Sequence, residues 1–335
     1  MLIKKTLPLK AIMRTTGHHF IWLGGWMTLF TSLYYFTDWK WMQVPWLPIS
    51  LTGTAVAFYV GFKNNQAYDR LWESRKVWGA IVNSSRIWAS MISGLIAPDR
   101  QKEKQALVYR YIGWIYTLRN QLLQPTSWEH VSLRHSFGKF SQARQRNFGT
   151  GLFEEECEAL ALPKYLRGLQ SASDNHFSNQ ATYILNEQTK VLADLNHQGD
   201  LDVFKQMKLQ TVVNDCFDHQ GKLERIKKFP LPRQYGSFSF VFVCIFIFLL
   251  PFGVVGEFHK LGDAWIWLSI PFGMLIGWVY VVMELIGDYS ENPFEGLEND
   301  VPMLAICRTI EIDLLNILGE AHQLKPIEAK RGVLM

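Results

Sequence analysis

"FKNNQAYDRLWESRKVWG", residues 62–79, follows without a break on "PISLTGTAVAFYVG", residues 48–61. The earlier segment is apolar enough to enter a bilayer. The later one carries Asn64, Asn65, Gln66, Asp69, Arg70, Glu73, Arg75 and Lys76, with no Pro or Gly before Gly79. Nothing in the pair stops a helix. The junction therefore predicts one helix that passes from a lipid-compatible environment into a polar one.

The rest of the chain fits that reading. Of its 335 residues 48% are hydrophobic and 14% aromatic, and the apolar residues cluster in blocks. Four blocks, about residues 19–36, 44–62, 237–256 and 264–283, each have the length needed to cross about 30 Å of hydrocarbon. The first follows four basic residues, as a signal peptide would, but it is strongly aromatic and no small-residue cleavage site follows, so it is expected to be retained. Residues 1–18 hold Lys4, Lys5, Lys10 and Arg14 and no acid. In the loop after block one Asp38 and Lys40 cancel. The excess of positive charge places the N-terminus in the cytosol. Four crossings then leave 63–236 and 287–335 cytosolic too.

The long middle reads as helical. Residues 101–123 and 202–226 repeat apolar positions at three and four. Residues 124–150 read as a polar connection. No strand pattern of useful length and no internal repeat is visible. Membrane and cytosolic parts alternate along the chain, so a single domain over 1–335 is expected. The predicted class is an all-α membrane protein.

Several functions are disfavoured. The net charge of +4 and the lack of a basic run with interleaved aromatics argue against nucleic acid. The nine His are scattered, and no GxSxG, HExxH or GxxxxGK[ST] motif is present, so an enzyme is not expected. A secondary transporter would show repeats or midplane charges, and the blocks have neither. Cys157, Cys216, Cys244 and Cys307 form no CxxC pair and read as free thiols. Cys216 and His219 supply only two metal ligands, which do not make a site.

Read at helical spacing, block two has two stripes. Gly53, Ala57 and Gly61 form a small-residue stripe that admits a close neighbour. About 100° round the helix, Ser50, Thr54, Phe58 and Phe62 run from hydroxyls to rings. The rings suit packing against lipid or another helix. In symmetric copies they also suit a hydrophobic constriction that gates a pore, and the positive edges of Phe rings favour an anion. In block four Gly273 and Gly277 signal close packing, Pro271 suggests a kink, and Glu284 is placed at the cytosolic end within reach of water.

Here a family resemblance enters. "GFKNNQAYDRLWESRKVWG" (61–79) resembles the bestrophin signature after the second span, in its bacterial form. "GKLERIKKFPLPRQY" (221–235) resembles the approach to the third span. "GDYSENPFEGLENDVPM" (287–303) resembles the acidic Asn-Pro-Phe segment after the fourth, and "CRTIEIDLLNIL" (307–318) the helix that follows. The pieces come in family order and match the spacing of the four blocks.

The resemblance implies a pentameric ion channel with four spans per subunit around a central pore, a helical cytosolic body and cytosolic termini in the bacterial inner membrane. Its neck positions fall on Thr54, Phe58 and Phe62. Thr54 departs from the usual bulky apolar residue, which implies a wetter outer end. Asn64, Asn65 and Gln66 fall where the neck opens into a vestibule. A second, cytosolic constriction falls near Phe204. In calcium-gated relatives the acidic segment clasps Ca²⁺. Here Asn292 and Asp300 match clasp positions, but Leu297, Glu295 and Gly296 depart, so a solvated loop that caps the next helix and contacts a neighbouring subunit is favoured over a metal site, and no cofactor is expected. The two neck rings favour chloride-like anions; the "FKNN" form points to monovalent cations. A non-conducting scaffold or sensor is the third reading.

Overall fold

The computed structural model describes every residue except 4, 5, 7, 8, 38, 134, 156–161 and 167–177. Lys4, Lys5, Asp38 and Cys157 therefore lie outside the described residues. Those described form helices joined by turns and short 3-10 segments: α1 (Leu9–Thr16), α2 (His18–Thr37), α3 (Trp46–Leu95), α4 (Gln101–Leu123), α5 (His135–Phe148), α6 (Leu162–Tyr165), α7 (Gln180–His197), α8 (Val203–Lys228), α9 (Arg233–His259), α10 (Ser269–Asp288) and α11 (Met303–Leu318). No β-sheet occurs among them; the extended pairing is limited to isolated bridges from Val333 to Leu2 and Lys330.

The chain divides into two compact units. One comprises Met1–Ile3, Arg70–Phe229 and Asn292–Met335; the other comprises Lys4–Asp69 and Pro230–Glu291. Helix α3 contributes to both. It runs unbroken for 50 residues, about 75 Å at 1.5 Å per residue, and so carries the junction at residues 61–62 as one helix.

In the second unit α2, the first part of α3, α9 and α10 pack around Leu23, Ile49, Val56, Val60, Val243, Phe246, Leu250 and Val254. Two helical stretches, Arg233–His259 and Asp263–Asp288, are long and apolar enough to cross a membrane by length and composition. Close packing follows glycine. A side chain at Gly273 or Gly277 would meet Met27 and Leu23 of α2, so the spacing read from block four does mark a close helix approach. Pro271 does not interrupt α10. Residues 263–268 form a 3-10 segment and α10 begins at Ser269. Pro271 thus sits in the first turn, where its missing N–H has no helical acceptor to lose.

The other unit is built on α4, which α7, α8 and α11 pack against. Residues Tyr111 to Arg119 of α4 are all buried. Trp78, Trp88 and Trp114 are fully buried there, and the Trp114 indole donates to Gln220 Oε1 at 2.9 Å. Residues 124–150 are not a plain polar connection. They contain α5, whose Gln142 amide donates to the Val131 carbonyl at 3.0 Å and Gln145 amide to the Glu295 carbonyl at 2.8 Å. A helix that bonds through amides and Arg rather than apolar side chains leaves little hydrophobic period to read.

Candidate pore helix and its anchors

Between Leu51 and Lys76 of α3 the exposed residues are Leu51, Thr54, Ala55, Phe58, Phe62, Asn65, Gln66, Tyr68, Asp69, Trp72 and Lys76, which recur about every three or four positions. This 3.5-residue spacing stays close to the helical 3.6, so the positions make one continuous face. The opposite face buries Ile49, Val56, Val60, Lys63, Ala67 and Ser74. Phe58 is 67% exposed and Phe62 65%. Each ring leaves about 2–3 kcal/mol of apolar burial unused in a single chain. The Thr54 hydroxyl donates back to the Ser50 carbonyl at 2.9 Å. That bond satisfies its donor and softens the polarity it presents.

Five expected site residues, Thr54, Phe58, Phe62, Asn65 and Gln66, therefore share one face. Asn64 does not. Its Nδ2 donates to the Met283 carbonyl at 3.0 Å, and its side chain fills the space that a side chain at Gly287 would need. Phe204 lies in the first turn of α8, in the other unit, and is 80% exposed. It is not a core residue of this chain.

Glu284 is not open to water. It is buried, as is its partner Lys63, and Ser239 donates to its second oxygen. Asp288 stands 3.9 Å from the same Lys63 ammonium. The signal for this pair in the sequence is slight: a Lys directly after one apolar block and a Glu directly after another.

Of the two glycines in the small-residue stripe, Gly53 is pressed and Gly61 is not. A Cβ there would stand 2.7 Å from the Phe246 ring and 3.1 Å from the Tyr280 hydroxyl, while at Gly61 it would meet nothing within 4 Å. Tyr280 also donates to the Gly53 carbonyl at 3.0 Å.

The acidic segment is buried rather than solvated. Asn292, Phe294, Glu295, Leu297, Glu298 and Asp300 are all buried. Glu295 accepts from Asn292 Nδ2 at 2.8 Å and from the His130 backbone N–H at 3.2 Å. Glu298 pairs with Arg144. Asp300 accepts from the backbone N–H groups of Gly296 and Leu297 at 2.7 and 3.1 Å. Burial, and next the Glu295 carboxylate, push the Asp300 carboxyl up to about 8. Among the described residues no group of three or more His, Cys, Asp or Glu side chains could hold a metal ion. At the matched clasp positions Asn292 offers its amide N–H to Glu295, Oδ2 of Asp300 accepts both backbone donors, and the Leu297 side chain contributes only carbon, where Ca²⁺ would take six to eight oxygens. Cys216 and His219 also diverge: Cys216 Sγ lies 3.5 Å from the Tyr111 hydroxyl and His219 Nε2 lies 3.4 Å from Ser84 Oγ. Burial pushes the Cys216 thiol up to about 12. Cys216, Cys244 and Cys307 are free thiols.

A family model described as bacterial/fungal bestrophin protein matches residues 20–316. A voltage-dependent anion channel-forming protein of Mesorhizobium japonicum is 27% identical over 274 residues, 82% of this chain and 75% of that one. Its namesake YneE of Escherichia coli is 27% identical over 277 residues, 82% of this chain and 77% of that one. The crystal structure of a bacterial bestrophin homologue from Klebsiella pneumoniae superimposes with a TM-score of 0.71 at 20% identity, covering 91% of this chain and 99% of the other. The chain belongs to the bacterial and fungal bestrophin family.

Proposed function

We propose that the protein is a passive ion channel of the bestrophin type that conducts chloride-like anions through a neck lined by α3. The observation that carries the reading is the exposed face of α3, with Phe58 and Phe62 at its centre and Asn65, Gln66 and Asp69 following on the same side. Large apolar rings exposed in a row on one helix need a partner. Symmetric copies, five on the family resemblance, supply one by turning the faces toward a common axis. The rings then form a narrow, dewetting constriction and the amides a wet widening below it. Positive ring edges favour anions, and the matched relatives are named for anion channels.

In this reading α2, the first part of α3, α9 and α10 cross the inner membrane, both termini are cytosolic and 1–335 works as one channel domain. Phe204 borders a second, cytosolic constriction. The buried acidic segment is a structural connector, and neither cofactor nor catalysis is invoked. Reversal potentials of the purified protein in planar bilayers across a sodium chloride gradient test the proposal. A shift toward the chloride Nernst potential supports it. A shift toward the sodium potential replaces it with a cation channel, and assembled protein without current replaces it with a scaffold or sensor.

A further inference from the structure

The Lys63–Glu284–Ser239 cluster is a buried charged cluster in the unit that holds α2, α9 and α10. Lys63 is 1% exposed, Glu284 7% and Ser239 fully buried. The three residues come from α3, α10 and α9, so one polar knot ties the candidate pore helix to two others. Asn64 adds a second tie to α10 through the Met283 carbonyl, at a spot where only glycine at 287 leaves room for it.

Position matters more than strength here. A buried ion pair adds little net stability over well-packed apolar residues, because desolvation offsets the attraction. What it does impose is geometry, since either charge moved out of register is left buried and uncompensated. Lys63 follows Phe62 directly, and successive residues turn by 100°. Fixing Lys63 and Asn64 on α10 therefore fixes the direction of Phe62, and with it Phe58, one helical turn earlier.

We infer that Lys63 is a positioning residue, locked by Glu284 and Ser239, that sets the rotation of α3 and thereby the open probability of the Phe58–Phe62 constriction. The inference rests on the channel reading above. Lys63 is compensated and out of contact with solvent, so it presents no net charge to a permeating ion. It acts on how often the neck is open and not on which ion passes.

Single-channel recordings of Lys63→Met, Glu284→Gln and the double variant test this. Each single change is expected to alter open probability about fivefold or more, the lower end of ordinary coupling between two-state elements. The double variant is expected to match either single one, because the partners act as a unit. Lys63→Arg keeps the charge and is expected to restore most of the wild-type value. Reversal potential stays unchanged in Lys63→Arg and in the double variant, which carries neither charge of the pair. Unaltered open probability, additive effects, or a shifted reversal potential in the double variant would each overturn the inference while leaving the channel reading intact. No current through the unmodified protein would overturn both. Should Lys63→Met fail to assemble on size exclusion, Ser239→Ala removes one hydrogen bond only, and an unchanged open probability in that variant sinks the positioning role.

Discussion

The Phe246 ring occupies the space beside Gly53 that any larger residue there would need, 2.7 Å from where its Cβ would stand. Gly61, two helical turns on, faces open space. Both glycines belong to one small-residue stripe, yet they predict opposite results. Gly53→Ala is expected to cost about 1–3 kcal/mol through overpacking against Phe246 and Tyr280. Gly61→Ala is expected to be neutral or to add about 0.5–1 kcal/mol of helix stability. Thermal unfolding of the two variants in detergent checks this. A destabilised Gly61→Ala would mean that a neighbouring copy packs at that position.

Phe58→Ala separates conduction from folding. The ring is two-thirds exposed and contributes little to the chain's own core. Unfolding temperature should therefore stay within a degree or two, as for surface substitutions of about ±0.5 kcal/mol. Unitary conductance should rise, by about twofold or more, as a dewetting constriction is widened. Unchanged conductance with intact assembly would remove Phe58 from the neck.

Much of this fold is legible in the residues, and the exceptions share a cause. The periodicity of 101–123 gives α4 to the residue, and 202–226 gives α8 within two. The uninterrupted run through 62–79 gives the continuity of α3. Local pattern suffices in those cases because burial follows one face. Helix α5 escapes because Gln142, Arg144 and Gln145 hold it through polar bonds. The burial of 292–301 escapes because its composition is that of a solvated loop. Lys63 and Glu284 stand 221 positions apart, and no local rule pairs them.

A second buried ion pair lies in the other unit. Lys227, in the last turn of α8, meets Glu129, with side chains 6% and 1% exposed. A cation suits a helix C-terminus, while the Thr126 backbone N–H holds the second oxygen of Glu129 at 3.2 Å. Burial raises the Glu129 carboxyl despite the pull of Lys227. Lys227→Met leaves that carboxylate buried and unpaired, which should cost about 3–5 kcal/mol. Adding Glu129→Gln should return most of the loss. Chemical or thermal unfolding decides it, and a double variant no more stable than Lys227→Met would refute the pairing.

Asp300 is fully buried beneath the turn at Gly296, whose φ of +78° favours glycine. Its carboxyl is raised from 3.8 to about 8, first by burial and then by Glu295, against the lowering pull of the Leu297 and Gly296 N–H groups. In the unfolded chain the group releases its proton near its ordinary value. Between pH of about 4 and 8 the folded state thus binds more proton than the unfolded one, and the Asp300 contribution to stability falls as pH rises. The slope limit is about 1.4 kcal/mol per pH unit. Asp300→Asn cannot ionise but keeps an oxygen for the two backbone donors. Unfolding midpoints of both proteins, measured at intervals from about pH 5 to pH 8, isolate the term. The wild-type midpoint should drop relative to the variant as pH increases, and a constant difference across that window would show that Asp300 ionises at its ordinary value in the folded chain.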